Sequence, residues 1–387
     1  MTLTEKRVWT AALACFILAA GTGFFFRSIQ FLGVPPALPW PGGEIPLDMG
    51  HIRHAHTHVM YFGWVTPVVM LLMLPDPARY RGILATLLVL ALLAWAPFLL
   101  LGYKPISIVL STSTMLTWYV FGIRYWRDRR RGMLQSSPLQ QAALVLLVIS
   151  SFGAWGLGMT MAMGMDHSLP YDLSLHVFLD LFAEGWLMLS VLAAMLRSAG
   201  RAVPRRAFRL LVLGIPTLFL LGVSPDRLPG AVRLVGSAGA LFTAAGLWLI
   251  LREVQGRLPA IWALPVALMY MKIIVHIGLA IPQVASWGLV VGLRIPWLHL
   301  VLLGIVTTGL VAAVHDRFGP GWTRGWPALQ ASIVLVLVSL FLLTGIWPAD
   351  LRGAWAGPVV AVIALLPVLA MVWMLAGVTK VRRQINA

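Results

Sequence analysis

The sequence predicts an all-α, polytopic membrane protein in which residues 1–387 form a single integral membrane domain. Of the 387 residues, 60% are hydrophobic and only 11% are charged, which leaves too little polar surface to cover a water-soluble domain. Apolar stretches of about 20 residues, the length that crosses a bilayer as a helix, recur from end to end. The chain has one cysteine, Cys15, which excludes disulfides, iron–sulfur clusters, cysteine-based zinc sites and covalently attached haem.

The apolar stretches predict about twelve transmembrane helices, separated by junctions that contain proline and glycine. In chain order the predicted helices cover residues 8–26, 54–74, 82–102, 106–124, 140–163, 171–196, 207–223, 230–251, 260–283, 296–315, 328–347 and 356–378. Proline is common at such junctions because a helix can begin there without losing a needed backbone amide. No linker indicates a second domain, and the sequence shows no clear internal repeat.

Basic residues mark every second loop, and this pattern predicts that both termini are cytoplasmic. Arg79 and Arg81 follow the second helix, for example, and a dense basic run over residues 124–131 follows the fourth. The formal net charge of +16 therefore fits topology signals and contacts with anionic lipid in a bacterial inner membrane, and not nucleic acid. A signal peptide that begins at Lys6 and Arg7 is the competing interpretation of the first apolar stretch.

Histidine is rare in membrane spans and usually has a function there, yet four predicted helices carry it toward the outer side of the bilayer. These histidines are His54, His56 and His58 on the second helix, His176 on the sixth, His276 on the ninth and His299 on the tenth. At 3.6 residues per turn, His54 and His58 share one face of their helix and His56 faces the opposite way. The alternative to a ligand role is an interfacial or interhelical hydrogen-bonding role.

Other ionisable residues lie near these histidines. His176, Asp180 and Glu184 are four residues apart and form a stripe that leads inward from the outer surface, an arrangement that suits proton transfer. Lys272 lies one turn from His276 on the ninth helix. We therefore predict Glu184, Asp180 and Lys272 as catalytic residues. In the alternative interpretation the two carboxylates neutralise the buried lysine.

Four segments resemble membrane haem proteins. Residues 56–64 resemble the His-x-His-x-Met-x-Phe-Gly-aromatic signature of the NnrS family, and also helix two of the nitric oxide reductase-like branch of the haem–copper oxidases. Residues 299–308 are similar to the NnrS segment His-x4-Gly-x3-Thr, and residues 276–280 to the NnrS helix that precedes it. Residues 181–185 are similar to the Glu-Gly part of helix six in nitric oxide reductases.

The resemblance implies a haem-copper-oxidase-like bundle that holds haem b near its outer face. The axial ligands would be His56 and His299, with Arg27 and Arg53 available for the propionates. A second metal, copper or a second iron, would draw on the remaining imidazoles, His54, His58, His176 and His276. Two departures argue against a complete dioxygen-reducing centre: the seventh predicted helix lacks a histidine pair, and the tenth has only His299 where complete oxidases carry His-x-His. Asp180 also stands where nitric oxide reductases have a metal-ligand histidine.

Three functions remain open at this point. The first is a haem-binding protein that handles nitric oxide, dioxygen or electrons, supplied by an electron donor that the sequence does not identify. The second is an oxidoreductase subunit with a binuclear site built from unorthodox ligands. The third is a secondary transporter that uses Lys272, Asp180 and Glu184 at mid-depth. A visible absorption spectrum separates the first two from the third, because only they require a Soret band.

Overall fold

The computed structural model describes residues 1–41, 43–348, 351 and 353–386, and these are mainly helical. The first half contains α1 (Leu3–Phe31), β1 (Ala37–Trp40), β2 (Gly43–Pro46), α2 (Met49–Val59), α3 (Thr66–Met73), α4 (Arg81–Leu101), α5 (Pro105–Arg130), α6 (Pro138–Ala162), α7 (Leu169–Asp180) and α8 (Leu189–Ser198). The second half contains α9 (Arg205–Gly214), α10 (Gly230–Val254), α11 (Ala263–Leu279), α12 (Pro282–Val290), α13 (Arg294–His299), α14 (Thr308–Phe318), α15 (Trp326–Phe341), α16 (Ala356–Ala364) and α17 (Leu366–Asn386).

Nine helical stretches within the described ranges are long and apolar enough to span a membrane. They are Leu3–Phe31, Pro77–Leu101, Pro105–Arg130, Pro138–Ala162, Leu169–Ser198, Gly230–Val254, Ala260–Leu279, Arg294–Phe318 and Ala356–Val378. Large apolar side chains such as Val89, Val109 and Ile123 are exposed on them, which suits contact with lipid and not with water. The chain is therefore a multi-pass, mainly helical membrane protein, as its composition predicts.

The predicted number of about twelve spans stays a prediction, because three of the predicted stretches are helical but are not among these nine. Residues 54–74 correspond to α2 and α3 with a π-helical segment between them, and residues 207–223 to α9 followed by a 3-10 helix. The stretch 328–347 corresponds to α15, which ends at Phe341. Two further elements, the antiparallel β1–β2 pair and the short helix α12, lie at least partly outside the predicted spans.

Capping residues explain where two of the spans begin. The Thr2 hydroxyl accepts a hydrogen bond from the Glu5 backbone, and the Glu5 carboxylate accepts one in return from the Thr2 amide, at 2.6 Å. Ser137 and Gln140 form the same reciprocal pair at the start of α6, with Pro138 at the first helical position. In each pair, the side-chain oxygens accept hydrogen bonds from backbone amides that have no partner within the first turn of the helix.

The chain divides into two compact units, one formed by residues 1–134 and 314–387 and the other by residues 135–313. In the first unit, Ile52 and Ala55 of α2 pack against Ala94 and Phe98 of α4 in an apolar core. In the second unit, α8 is buried along its length from Leu189 to Leu196. Each unit thus has its own packed interior, and each contains several of the histidines singled out above.

Three helices of the described chain change from α to π geometry in mid-course. The π-helical segments are Met60–Val65, Leu181–Met188 and Leu300–Thr307. His58, Asp180 and His299 stand one or two positions before these segments, and in each case a glycine follows five residues later. Segments of π-helix are rare and occur frequently at functional sites. The repeated arrangement therefore marks these three positions as candidate site residues.

Candidate functional site

His56 lies on α2 with its ring against α1. Its Nδ1 donates a hydrogen bond to the backbone carbonyl of Ala19, at 2.7 Å. The approach is close because Gly23 has no side chain: a Cβ there would lie 3.0 Å from the His56 ring. A carbonyl can only accept, so the proton of the neutral ring is on Nδ1 and the lone pair is on Nε2. This is the arrangement that metal-ligating histidines adopt.

His54 and His58 lie on the other face of the same helix, as the spacing predicts. Their ring centroids are 6.4 Å apart, and the His58 Nδ1 donates to the His54 carbonyl at 2.9 Å. The His58 ring stacks on Phe98 at 3.9 Å, and Tyr103 packs edge-on against His54 at 4.6 Å. The two histidines are therefore part of an aromatic cluster, and their role as metal ligands stays a prediction.

The two arginines predicted for haem propionates differ in their surroundings. Arg27 donates a hydrogen bond to the Gln30 side chain at 2.8 Å, and its guanidinium lies 5.6 Å from the centroid of the Phe26 ring. Arg53 is exposed on α2, three residues before His56. Both residues belong to the first unit, and their role toward a propionate stays a prediction.

In the second unit, Glu184 and Lys272 form a buried ion pair. Glu184 lies in the π-helical segment Leu181–Met188 and Lys272 on α11, and the Lys272 Nζ is 2.5 Å from the Glu184 Oε1. The side chains are 0% and 3% exposed for the lysine and the glutamate. A charged side chain that is removed from water needs a partner of opposite charge, because burying an isolated charge costs much free energy. The geometry thus supports the interpretation in which a carboxylate neutralises Lys272.

A second charged group lies on the same helix as Glu184. Arg294 donates through Nη2 to the Asp180 Oδ1 at 3.1 Å, and the His176 Nδ1 is 3.2 Å from the Asp180 Oδ2. The Arg294 Nη2 is also 3.1 Å from the His176 Nδ1. Asp180 therefore lies between the Arg294 guanidinium and the His176 imidazole. Both carboxylates of the predicted stripe are thus paired with cations from other helices, Asp180 with Arg294 of α13 and Glu184 with Lys272 of α11.

His276 is buried on α11, one turn beyond Lys272. Its side chain is 1% exposed, and neither ring nitrogen has a hydrogen-bond partner. The ring packs edge-on against Trp297 with centroids 5.3 Å apart. The Glu184 Oε2 and the Trp186 Nε1, in the π-helical segment Leu181–Met188, are buried without partners as well. Unsatisfied buried polar atoms cost free energy, so these atoms mark the surroundings of His276 as a candidate functional site.

His299 is the last residue of α13. Its Nδ1 donates to the Ile295 carbonyl at 2.9 Å, so its ring has the same proton position as that of His56. His56 belongs to the first unit and His299 to the second, and the predicted axial pair stays a prediction. The predicted second metal set is divided in the same way, with His54 and His58 in one unit and His176 and His276 in the other.

No protein-family model matches the chain, and no curated protein matches it significantly. Within the part of the chain that the structure describes, no group of three or more His, Cys, Asp or Glu side chains is placed to hold a metal ion. The resemblance to NnrS and to the haem–copper oxidases therefore rests on the residues of this chain.

Sequence reasoning missed two residues of the site. Arg294 looks like a scattered loop cation in the sequence, yet it pairs with Asp180 across 114 positions. An arginine immediately before the isoleucine–proline pair at the start of a span was the available signal. Gly23 carries no sequence signal of its own, because its role is to leave room for the ring of His56.

Proposed function

We propose that this chain is a haem b-binding integral membrane protein of a bacterial inner membrane. It handles nitric oxide, dioxygen or electrons at a histidine-ligated site near the outer face, with both termini in the cytoplasm. The observation that carries the proposal is the geometry of His56, whose Nδ1 is fixed by the Ala19 carbonyl so that its Nε2 lone pair is available to iron. When bound, haem b supplies a one-electron iron centre.

His299 would be the second residue that holds the haem in this proposal. Its Nδ1 is fixed by a backbone carbonyl in the same manner, and a π-helical segment follows it directly. Arg27 and Arg53 lie on the helices that contact or carry His56, and their cationic side chains suit propionates. The orientation of each imidazole and the nearby cations support His56 and His299 as the residues that would hold haem b.

The surroundings of the other site residues favour a single haem over a binuclear centre. Asp180, which stands where nitric oxide reductases have a metal ligand, is already neutralised by Arg294. Glu184 is likewise neutralised by Lys272, and that ammonium also lies one turn from His276. Positive side chains next to the predicted ligands disfavour a further metal cation at the same place.

A pair of histidine variants tests the haem assignment. His56→Ala removes the proposed ligand, and we expect the purified protein to lose the Soret band and the reduced b-type peaks. The matched control is His58→Ala, which removes an imidazole two positions away on the other face of the helix and should keep the spectrum. Full haem occupancy in His56→Ala, or a wild-type protein without a Soret band, contradicts the proposal.

A secondary transporter is the second candidate, and one observation favours it. The Glu184–Lys272 pair is an ionisable pair inside predicted spans, and such residues mark ion and substrate pathways in transporters. This candidate requires that the purified protein has no Soret band and that Glu184→Gln abolishes ion-coupled uptake in proteoliposomes. The wild-type spectrum decides between the two candidates.

A further inference from the structure

Lys272 connects three helices of the second unit through its ammonium group. Its Nζ is 2.5 Å from the Glu184 Oε1 and 4.2 Å from the centroid of the Trp297 ring. Glu184 belongs to the span formed by α7 and α8, and Trp297 lies on α13, two residues before His299. His276, on the same helix as Lys272, contacts the Trp297 ring edge-on.

These contacts fix the place of Trp297. A fully buried ammonium must keep its partners, because leaving it unpaired in a low-dielectric interior costs much free energy. A cation over an indole face is among the stronger interactions of this type, and it gains strength when water is excluded. Trp297 therefore cannot move away from α11 without removing one partner of a buried charge.

The position of Trp297 matters because α13 is short. The helix has six residues, and the π-helical segment Leu300–Thr307 follows at once, with irregular backbone hydrogen bonds. The His299 ring is oriented within the helix by its bond to the Ile295 carbonyl. The direction of the His299 ring relative to the rest of the unit then depends on how α13 is anchored. The half-buried Trp297 joins α13 to the buried ammonium of Lys272.

We propose that Lys272 and Glu184 are positioning residues for His299. The ion pair holds the ammonium, the ammonium holds the Trp297 ring, and the ring fixes α13, which carries His299. In this inference Lys272 acts through Trp297 and does not touch the reacting atoms. The inference rests on the haem-binding function proposed above.

Substitutions at Trp297 test this chain of contacts. Trp297→Leu keeps the apolar character but removes the aromatic face, whereas Trp297→Phe keeps a weaker one. We expect Trp297→Leu to shift the g values of the low-spin ferric haem in electron paramagnetic resonance and to raise the rate of haem loss by roughly tenfold or more. Trp297→Phe should restore the wild-type g values. The matched control is Trp287→Leu, at a site 48% exposed on α12, and it should leave both measurements unchanged.

A double variant tests the ion pair without leaving a charge unpaired. Lys272→Met with Glu184→Gln removes both charges and keeps the approximate size of both side chains, so the protein is expected to fold. The inference predicts the same g shift as in Trp297→Leu. Wild-type g values and a rate of haem loss within twofold of wild type, in folded and haem-loaded Trp297→Leu and double variants, overturn the positioning role while haem binding stands. A wild-type protein without a Soret band overturns the proposed function and this inference together.

Discussion

At the scale of single residues, Gly23 determines how closely the His56 ring approaches α1. A Cβ at this position lies 3.0 Å from two atoms of the ring, so Gly23→Ala must push the imidazole away from the Ala19 carbonyl. Loss of the hydrogen bond that orients a metal-ligating histidine typically lowers metal affinity by about 10- to 100-fold, and we expect haem affinity to fall by about tenfold. Titration of the apoprotein with haemin measures the effect.

Gly21→Ala is the matched control for this prediction. Gly21 lies on the same helix two positions earlier, and no atom is within 4 Å of the place where its Cβ would be. The affinity of this variant should equal that of the wild type. Equal affinity in Gly23→Ala would instead show that the His56 ring is not held by α1.

The histidines show how far sequence reasoning reaches at this scale. The opposite faces of His56 and His58 follow from helical periodicity, and the structure confirms them. The Ala19 carbonyl was not predictable, because every residue has a carbonyl and the sequence does not say which one a ring contacts. The partner of Asp180 was likewise hidden, since an arginine 114 positions away gives no periodic signal.

At the scale of elements, the Glu184–Lys272 pair links α11 to the span that contains α7 and α8. We expect Lys272→Met to lower the free energy of unfolding by about 3–5 kcal/mol, because it leaves the Glu184 carboxylate buried without a counter-charge. The double variant Lys272→Met with Glu184→Gln should recover most of this loss. Unfolding in detergent by titration with sodium dodecyl sulfate measures both.

An exposed ion pair of the same unit provides the control for this stability prediction. Arg201 pairs with Glu253 and its side chain is 43% exposed, so Arg201→Met should change the free energy of unfolding by less than about 1 kcal/mol. If Lys272→Met lowers the free energy of unfolding by no more than Arg201→Met does, the buried pair does not hold the helices together.

The positions of the π-helical segments could not be predicted from the sequence. Each of the three lies inside an apolar stretch that the sequence correctly predicts to be helical. A change from α to π geometry shifts the register of the helix by about one residue without changing its apolar character. Composition and approximate periodicity therefore predict where a helix lies and do not predict where its hydrogen bonding changes.

At the scale of the whole molecule, composition was enough to predict the class of protein. Too few charged residues for a soluble domain and repeated apolar stretches imply a polytopic membrane protein, and the nine candidate spans of the described residues agree. The packing of the helices is the same in either orientation of the chain in a membrane. The alternation of basic loops therefore supplies the prediction of orientation.

Accessible cysteines test that orientation directly. The native cysteine, Cys15, is buried and can be replaced by alanine, which provides a background without reactive thiols. In that background we expect His167→Cys, at a side chain 94% exposed, to react in intact cells with a membrane-impermeant maleimide added from outside. Arg131→Cys, exposed after α5 within the basic run, should react only after the membrane is permeabilised, because basic loops are retained in the cytoplasm. Labelling of Arg131→Cys in intact cells, with protection of His167→Cys, would invert the topology and place the predicted histidine sites on the cytoplasmic side.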